Sequence, residues 1–400
     1  MISFVHCGDL HLGIMPEKNA SRFKDFFDAF SDCIDFAMNK KVDFIIVAGD
    51  MFHQKTINSK TLLLTSEILK KAKDNNIPVL VIEGNHDRAF YIDEDSWLSY
   101  LDNEGLIYLL SVNNINGNLS INKEYEKDTY RVVGVGYLGG ATEKYIDEIK
   151  YLLPIDRKTN ILVMHAAIDK MKDQNMGDVS SDKIKELENH CAYLALGHIH
   201  YKYELDDFAF NPGSLENLRT KDEISGKKGF YYVQIDEASG AKNVEYIDSK
   251  RRPIRYKSLD CTNIETPDGV LDYLISEMEK WNNINEGNII YLSLNGKTSF
   301  NPLLIDSKAI KQLLQDKFNP LYIEIVNIIN DSNPIERIED GVNVEAIVEA
   351  AIEKQIRYDY PATKNPTNLA KLMRELSELI QNGSTEKDTF ELLMRKEDLE

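Results

Sequence analysis

The chain is poor in several things at once. It has only four cysteines in 400 residues, Cys7, Cys33, Cys191 and Cys261, with no Cys-x-x-Cys pair. That excludes a disulfide-stapled scaffold and fits reduced thiols of a cytoplasmic protein. No apolar run approaches the ~18 residues that span a bilayer, so no transmembrane helix is expected. The first residues, Met1-Ile2-Ser3-Phe4-Val5-His6, read as a strand and lack the basic and apolar regions of a signal peptide. The expected location is the cytoplasm, away from membranes.

Positive charge is also short. The formal net charge is −19, which works against a polyanionic partner, because phosphate recognition normally shows as basic residues. The deficit is uneven. Residues 331–400 carry 16 acidic and 9 basic side chains, residues 251–330 carry 10 and 9, and residues 1–250 account for a net of −11. The middle segment is therefore the least repulsive towards a polyanion. It is entered by the most basic run in the chain, Lys250-Arg251-Arg252-Pro253-Ile254-Arg255-Tyr256-Lys257. Lys250, Arg251, Arg252, Arg255 and Lys257 are candidate phosphate contacts, or else a solvated charged strand.

What remains is ordinary globular material, 42% hydrophobic and 28% charged, enough for two to three domains. Short apolar runs alternate with helical spacing through the first half. Ile2–His6, Val42–Ala48, Pro78–Ile82, Arg131–Gly136, Ile161–Met164 and Tyr193–Leu196 read as strands. Phe23, Phe26, Phe27, Phe30, Ile34 and Ala37 share one helix face, and a second helix is expected over Asn58–Asp74. Phe208–Phe210, Gly229–Ile235 and Lys242–Ile247 read as closing strands. This alternation implies an α/β fold. Arg255–Leu259, Gly269–Trp281, Asn288–Leu294, Ser307–Phe318 and Leu321–Ile329 then read as a small β-α-β-β-type unit. Asp331-Ser332-Asn333-Pro334 reads as a linker. Beyond it, Val344, Ile347, Val348, Ala351 and Ile352 form one apolar stripe. Leu369, Leu372, Met373, Leu376, Leu379 and Ile380 form another, with Pro366 suited to a first helical turn. The domains are accordingly 1–250, 251–332 and 333–400.

Six of the eight histidines fall in five short segments, most of them placed just after a strand. These are Asp9-Leu10-His11, Gly49-Asp50-Met51-Phe52-His53, Gly84-Asn85-His86-Asp87, His165 and Gly197-His198-Ile199-His200. Strand ends of an open α/β sheet are where ligands converge. Asp, Asn and His are ligands for hard-to-borderline divalent cations, and a close pair of such cations clamps both oxygens of a phosphate displacement. Asp9 and His11, at i and i+2 of an extended segment, put both side chains on one side, as do His198 and His200. Asp50 follows a buried strand, where a carboxylate is costly without a cation, and is the choice for a bridging ligand. Asn85 offers a carbonyl oxygen. His86 is free to act on a substrate phosphate or leaving group. His53 lies near the scissile phosphate. Asp87 either orients His86 or caps a helix. His165, His198 and His200 complete the metal ligands, while His6 reads as structural and His190 as a surface helix residue.

Asp9-x-His11, Gly49-Asp50-x-x-His53, Gly84-Asn85-His86-Asp87, Gly197-His198-x-His200 and Phe210-Asn211-Pro212-Gly213-Ser214 together resemble the calcineurin-like metallophosphoesterase superfamily. Within it they resemble the double-strand-break repair nucleases of the meiotic-recombination-eleven family, called SbcD in bacteria. The resemblance implies a four-layer sandwich of two β-sheets flanked by helices over 1–250. It also implies a small α+β DNA-binding cap over 251–332 and a C-terminal helix-loop-helix that docks on an SMC-like coiled-coil ABC ATPase of the SbcC type. One metal would take Asp9, His11, Asp50 and His200, and the other Asp50, Asn85, His165 and His198. The pair would be Mn²⁺, with Mg²⁺ as the substitute. His86 would act on phosphate and leaving group, supported by His53. The implied activity is exonuclease and endonuclease cleavage of double-stranded DNA ends. A homodimer would form through helices near Thr61–Lys71 and Trp97–Leu101. Two other readings share the motifs. One is a phosphatase or small-molecule phosphodiesterase of the superfamily, whose protein phosphatases typically carry Asp-Arg after the Gly-Asp and Glu closing the Asn-His motif, where this chain has His53 and Asp87. A non-catalytic scaffold for an ATPase would be expected to have lost a ligand.

Overall fold

The computed structural model describes residues 1–89, 95–169, 178–219, 226–331, 352, 353, 356 and 365–381. These form two compact units. One comprises Met1–Asp260, Val270–Asn295 and Asp306–Ile328, and the other Cys261–Gly269, Gly296–Ile305 and the described residues from Ile329 onward.

The first unit is built on two six-stranded sheets. In one, the order is Lys242–Asp248, Gly229–Ile235, Ile2–Cys7, Phe44–Val47, Val79–Val81, Tyr108–Leu109. Its last four strands run parallel and its first two are antiparallel additions. The other runs Tyr203–Leu205, Ala209–Asn211, Tyr193–Gly197, Thr159–His165, Tyr130–Val135, Tyr125–Glu126, with a parallel centre. Parallel strands buried on both faces need unbroken apolar runs, and Phe44-Ile45-Ile46-Val47 is fully buried. The inner faces meet over Phe4, Phe44, Ile46, Leu80, Ile161, Val163, Tyr193, Phe210 and Val233. Phe4 stacks on Phe44 at 4.9 Å and takes the edge of Tyr193 at 5.2 Å.

Helices cover the outer faces. Ala20–Lys40 starts where the Asn19 side chain accepts from Ser21 N–H and Arg22 N–H, and stops at Lys41 in the left-handed region. Its phenylalanine stripe packs on the first sheet together with Ser59–Asp74. Ile146–Tyr151 and Ser181–Lys185 supply Ile146, Ile149 and Ile184 to the second sheet's outer core. The result is the expected four-layer sandwich of helix, sheet, sheet and helix.

After Lys242–Asp248 the chain forms a three-stranded sheet of Ile254–Asp260, Ile289–Asn295 and Tyr322–Asn327, all parallel. Helices Pro267–Met278 and Ser307–Phe318 make the crossovers, burying Val270, Leu274 and Met278, and Ile310 and Leu314. The five elements expected here are all present, including the helix Ser307–Phe318, and their order is β-α-β-α-β rather than the β-α-β-β the unit resembled. The second crossover carries its own amphipathic helix, which a parallel neighbour requires. In the second unit, Lys297–Thr298 pairs with Asn330–Asp331, and a helix runs over Pro366–Gln381 with Pro366 at its start. Of the helix expected through Val344–Ile352, residues 344–351 lie outside the described residues, as do Ser332-Asn333-Pro334 of the expected linker. No helix among the described residues is long and apolar enough to cross a membrane.

Candidate metal centre

The carboxyl ends of strands from both sheets bring all seven expected ligands together. Asp50 Oδ2 stands 3.4 Å from His165 Nε2 and 3.8 Å from His11 Nε2. On one side, His11 Nε2 lies 3.0 Å from His200 Nε2, which is 4.0 Å from Asp9 Oδ1. On the other, Asn85 Oδ1 lies 3.0 Å from His198 Nδ1 and 3.2 Å from His165 Nε2. The donor atoms of Asp9, His11 and His200 fall within 4.8 Å of one another, and so do those of Asp50, His165 and His198. Ring nitrogens of His11, His53 and His86 make a third such grouping.

The backbone bends to achieve this. Asp9, His11, Asp50 and His198 all have positive φ, at 50°, 46°, 49° and 94°. That region is rare for residues with a Cβ and clusters at functional sites. The expected i, i+2 geometry of an extended segment is therefore corrected at Asp9 and His11. Their amides are instead drawn onto the next strand's turn, Asp9 N–H to Gly49 O at 3.1 Å and His11 N–H to Asp50 O at 3.0 Å. Gly84 is required by proximity, since a Cβ there would lie 2.0 Å from Asp50 Oδ1.

Neighbouring groups set each ring. His165 Nδ1–H donates to the Ala48 carbonyl at 2.7 Å, leaving Nε2 for the site. His86 Nδ1–H donates to the His53 carbonyl at 2.7 Å, and the His86 amide donates to Asp50 Oδ1 at 2.9 Å. His53 Nδ1 is 3.4 Å from His11 Nδ1. Asp87 takes neither expected role. Its oxygens accept from Phe52 N–H at 2.9 Å, Gly84 N–H at 3.0 Å and Met51 N–H at 3.2 Å, fastening the Gly84–Asp87 turn to the segment after Asp50.

The electrostatics suit cations. Burial pushes the Asp9 carboxyl up to about 7, with the Asp50 charge adding and His165 opposing. Burial would also raise Asp50, but the bond and charge of His165 outweigh it and hold the carboxyl below its usual range. His165 is the converse case. Burial lowers it, the Asp50 carboxylate overrides burial, and the imidazole rises to about 9. Burial lowers His200 to about 3, helped by the Lys228 charge, and lowers His11 and His198 as well. The site thus gathers two buried carboxylates, an amide oxygen and four imidazoles, three of them kept neutral with lone pairs available. That mixed oxygen and nitrogen set fits borderline divalent cations.

Three neighbours were not foreseen, and a fourth, Asn211, was noted only as part of the Phe210–Ser214 segment. Tyr137 stacks on the His198 ring at 5.1 Å. Asp178 Oδ2 lies 3.8 Å from His198 Nε2. Lys228, 1% exposed, and Asn211, fully buried, sit behind His200. Tyr137 follows the strand Tyr130–Val135, so the strand-end rule that singled out the candidate ligands also pointed there. Lys228 carries no sequence signal that separates it from a surface lysine. His6 is structural, its Nε2–H donating to Leu196 O at 3.0 Å and its Nδ1 accepting from the Tyr193 hydroxyl at 2.9 Å. His190 lies in a turn rather than a helix.

The basic run is not a single open patch. Arg252 is spent internally: its Nε and Nη2 both meet Asp25 at 2.9 Å, and its Nη1 donates to Gly287 O. Arg255 donates to Asn288 Oδ1 at 3.2 Å, and Lys257 lies over the Trp281 ring at 5.3 Å. Arg251 is half-buried. Lys250 has its side chain 84% exposed and only a long ion pair, Nζ 3.9 Å from Asp32 Oδ2.

A buried donor cluster of this kind between two sheets defines a metal-dependent phosphoesterase. The profile of the Calcineurin-like phosphoesterase family matches residues 2–202, and the chain belongs to that family, whose members hydrolyse phosphoesters with divalent metal ions. Its curated relatives fall in the branch the motifs resemble. Proteins named DNA double-strand break repair protein Mre11 match from Archaeoglobus fulgidus (29% identical over 257 residues), Saccharolobus solfataricus (27% over 275) and Sulfurisphaera tokodaii (25% over 363). The matches cover 58%, 66% and 89% of this chain, and 57%, 68% and 87% of the respective relative. The chain thus spans little more than half of the Archaeoglobus protein.

Proposed function

We propose that this chain is a Mn²⁺-dependent DNA nuclease that cleaves double-stranded ends, as exonuclease and endonuclease, in double-strand-break repair. The observation that carries the reading is Asp50 Oδ2 standing between two donor groups, His11 with His200 and His165 with Asn85. The names of the relatives supply the substrate class. Asp9, His11, Asp50 and His200 hold one ion, and Asp50, Asn85, His165 and His198 the other. The mixed donor set suits Mn²⁺ better than Mg²⁺, which favours oxygen alone. When bound, the ions supply Lewis-acid stabilisation of phosphate charge and a nucleophile from water at neutral pH.

The chain's own residues do the rest. His86 has its Nδ1–H committed to the His53 carbonyl, so Nε2 is the end that bonds a phosphate oxygen or carries a proton to the leaving oxygen. His53 fixes that ring through its carbonyl and contacts His11 through Nδ1. Residues 251–332 serve as the DNA cap, with Lys250, the most exposed of the run and held only by a 3.9 Å ion pair to Asp32, as the contact to a backbone phosphate and Arg252 fastening the start of the cap to the helix bearing Asp25. Residues 333–400 dock on an SMC-like ABC ATPase. Dimerisation uses helices Ser59–Asp74 and Trp97–Asn103, which expose Leu63 and Tyr100. The compartment is the cytoplasm.

The test is release of label from end-labelled duplex DNA by the full chain with Mn²⁺, against an EDTA control. Release that EDTA abolishes supports the nuclease. Intact DNA alongside hydrolysis of p-nitrophenyl phosphate moves the assignment to a phosphatase.

A further inference from the structure

The segment Phe210-Asn211-Pro212-Gly213-Ser214 has no part in the ligand set, yet it grips the strand end that carries His200. Asn211 closes the strand Ala209–Asn211 and is fully buried. Its Nδ2 donates to Ile199 O at 2.7 Å and to Tyr201 O at 2.8 Å, the carbonyls on either side of His200. Two carbonyl acceptors fix the amide's orientation, because the flipped amide would set Oδ1 against both. The His200 carbonyl is held as well, by Ser214 N–H at 3.3 Å and by the Lys228 ammonium. Gly213, at φ +75°, passes so close that a Cβ there would lie 2.8 Å from His200 O. The Pro212 carbonyl is itself tied down by the Tyr246 hydroxyl at 3.0 Å.

We infer that Asn211 is a positioning residue for one of the two metal sites, its amide clamping the carbonyls that flank His200 so that the His200 ring is fixed against His11 and Asp9. The inference rests on the metal assignment proposed above. Three consecutive carbonyls, each held by a donor, leave the intervening peptide planes little freedom to rotate. The direction of the His200 Cα–Cβ bond is then set before any ion arrives. The ring stands with Nε2 at 3.0 Å from His11 Nε2 and 4.0 Å from Asp9 Oδ1. Without the clamp, two buried carbonyls lose their donors and the strand end relaxes to find others. The opposite donor group, Asn85, His165 and His198, hangs on other supports, among them the bond of His165 to Ala48 O. The effect of losing Asn211 is therefore one-sided.

The test is Mn²⁺ titration of the full chain by calorimetry and electron paramagnetic resonance, with metal-free melting temperature as a control. The native chain should bind two ions and give an exchange-coupled spectrum. In Asn211→Ala one site should weaken about tenfold or more, as loss of a ligand's supporting bond typically does, while the other stays within about twofold. At one equivalent the spectrum should be that of an isolated ion, and anomalous diffraction should place that ion at Asn85, His165 and His198. Gly213→Ala keeps the amide but presses on the same carbonyl. It should weaken the same site, which keeps the inference testable if Asn211→Ala does not fold. Unchanged affinities in the folded variants, or both sites weakening by the same factor, would overturn the inference. A native chain that fails to bind two ions would instead overturn the metal assignment, and this inference with it.

Discussion

His11 and His200 point their Nε2 atoms at each other across 3.0 Å. Burial keeps both rings neutral at physiological pH, lowering His200 to about 3 and His11 well below its usual value. One ring must give a proton to that contact and the other a lone pair. To hold a cation, both rings would turn their Nε2 lone pairs to it with the proton on Nδ1, and Asp9 and Asp50 would offset its charge. The donors are already gathered, so binding pays little to assemble them.

Ligand removal should separate the sites. His200→Ala is expected to bind one Mn²⁺ per chain, while Asp50→Ala, which removes the oxygen between both groups, binds neither with native affinity. Isothermal titration of each variant against the native chain checks this. Two tight ions in Asp50→Ala would refute the bridging role.

His86 lies next to the ligands but is committed to the His53 carbonyl through Nδ1. His86→Ala should lower the cleavage rate by about 10²-fold or more while leaving Mn²⁺ affinity within about twofold. Parallel loss of affinity would make His86 a ligand rather than the group acting on the substrate.

His6 makes stability depend on pH. Its folded value is about 3 against 6.5 in the unfolded chain, through burial opposed by the Leu196 carbonyl. Below pH 6.5 the unfolded chain takes up a proton that the folded one refuses, so stability falls as pH falls through that window. The contribution lost between pH 6.5 and pH 5 is about 1.6 kcal/mol. Unfolding free energies from urea titration should fall by about that much more in the native chain than in His6→Gln between the two pH values. Identical pH dependence in both would exclude it.

Lys250 and Arg252 are neighbours with different expected roles. Arg252→Ala breaks the fork on Asp25, which is 11% exposed, and should cost about 1–3 kcal/mol of stability by urea unfolding. Lys250→Ala should leave stability unchanged and reduce the salt slope of DNA binding by about 1. If Arg252→Ala moves the salt slope instead, the arginine contacts phosphate.

The sandwich and the site were legible for the same reason. Parallel strands are continuous apolar runs, and the candidate ligands that the structure gathers follow soon after them, as Asp50 follows Phe44–Val47. The conformation of those ligands was not legible. Nothing in Asp9 or His11 signals a left-handed backbone, which long-range bonds to Gly49 and Asp50 impose. The hairpin of Ser111–Ile115 and Asn118–Lys123 turns on Asn116-Gly117, both at positive φ. Asn-Gly is a strong two-residue hairpin signal, but the polar strands around it hide the alternation that would draw attention to it. Arg252 looked like a phosphate contact because its partner, Asp25, lies on a helix 227 residues away in sequence, a distance no local pattern reports.

The most direct test of the account is anomalous diffraction at the manganese edge from crystals of the full chain soaked in Mn²⁺. Two peaks on either side of Asp50 Oδ2 are predicted, one among Asp9, His11 and His200 and the other among Asn85, His165 and His198. A single peak, or a pair that leaves Asp50 unligated, would contradict it.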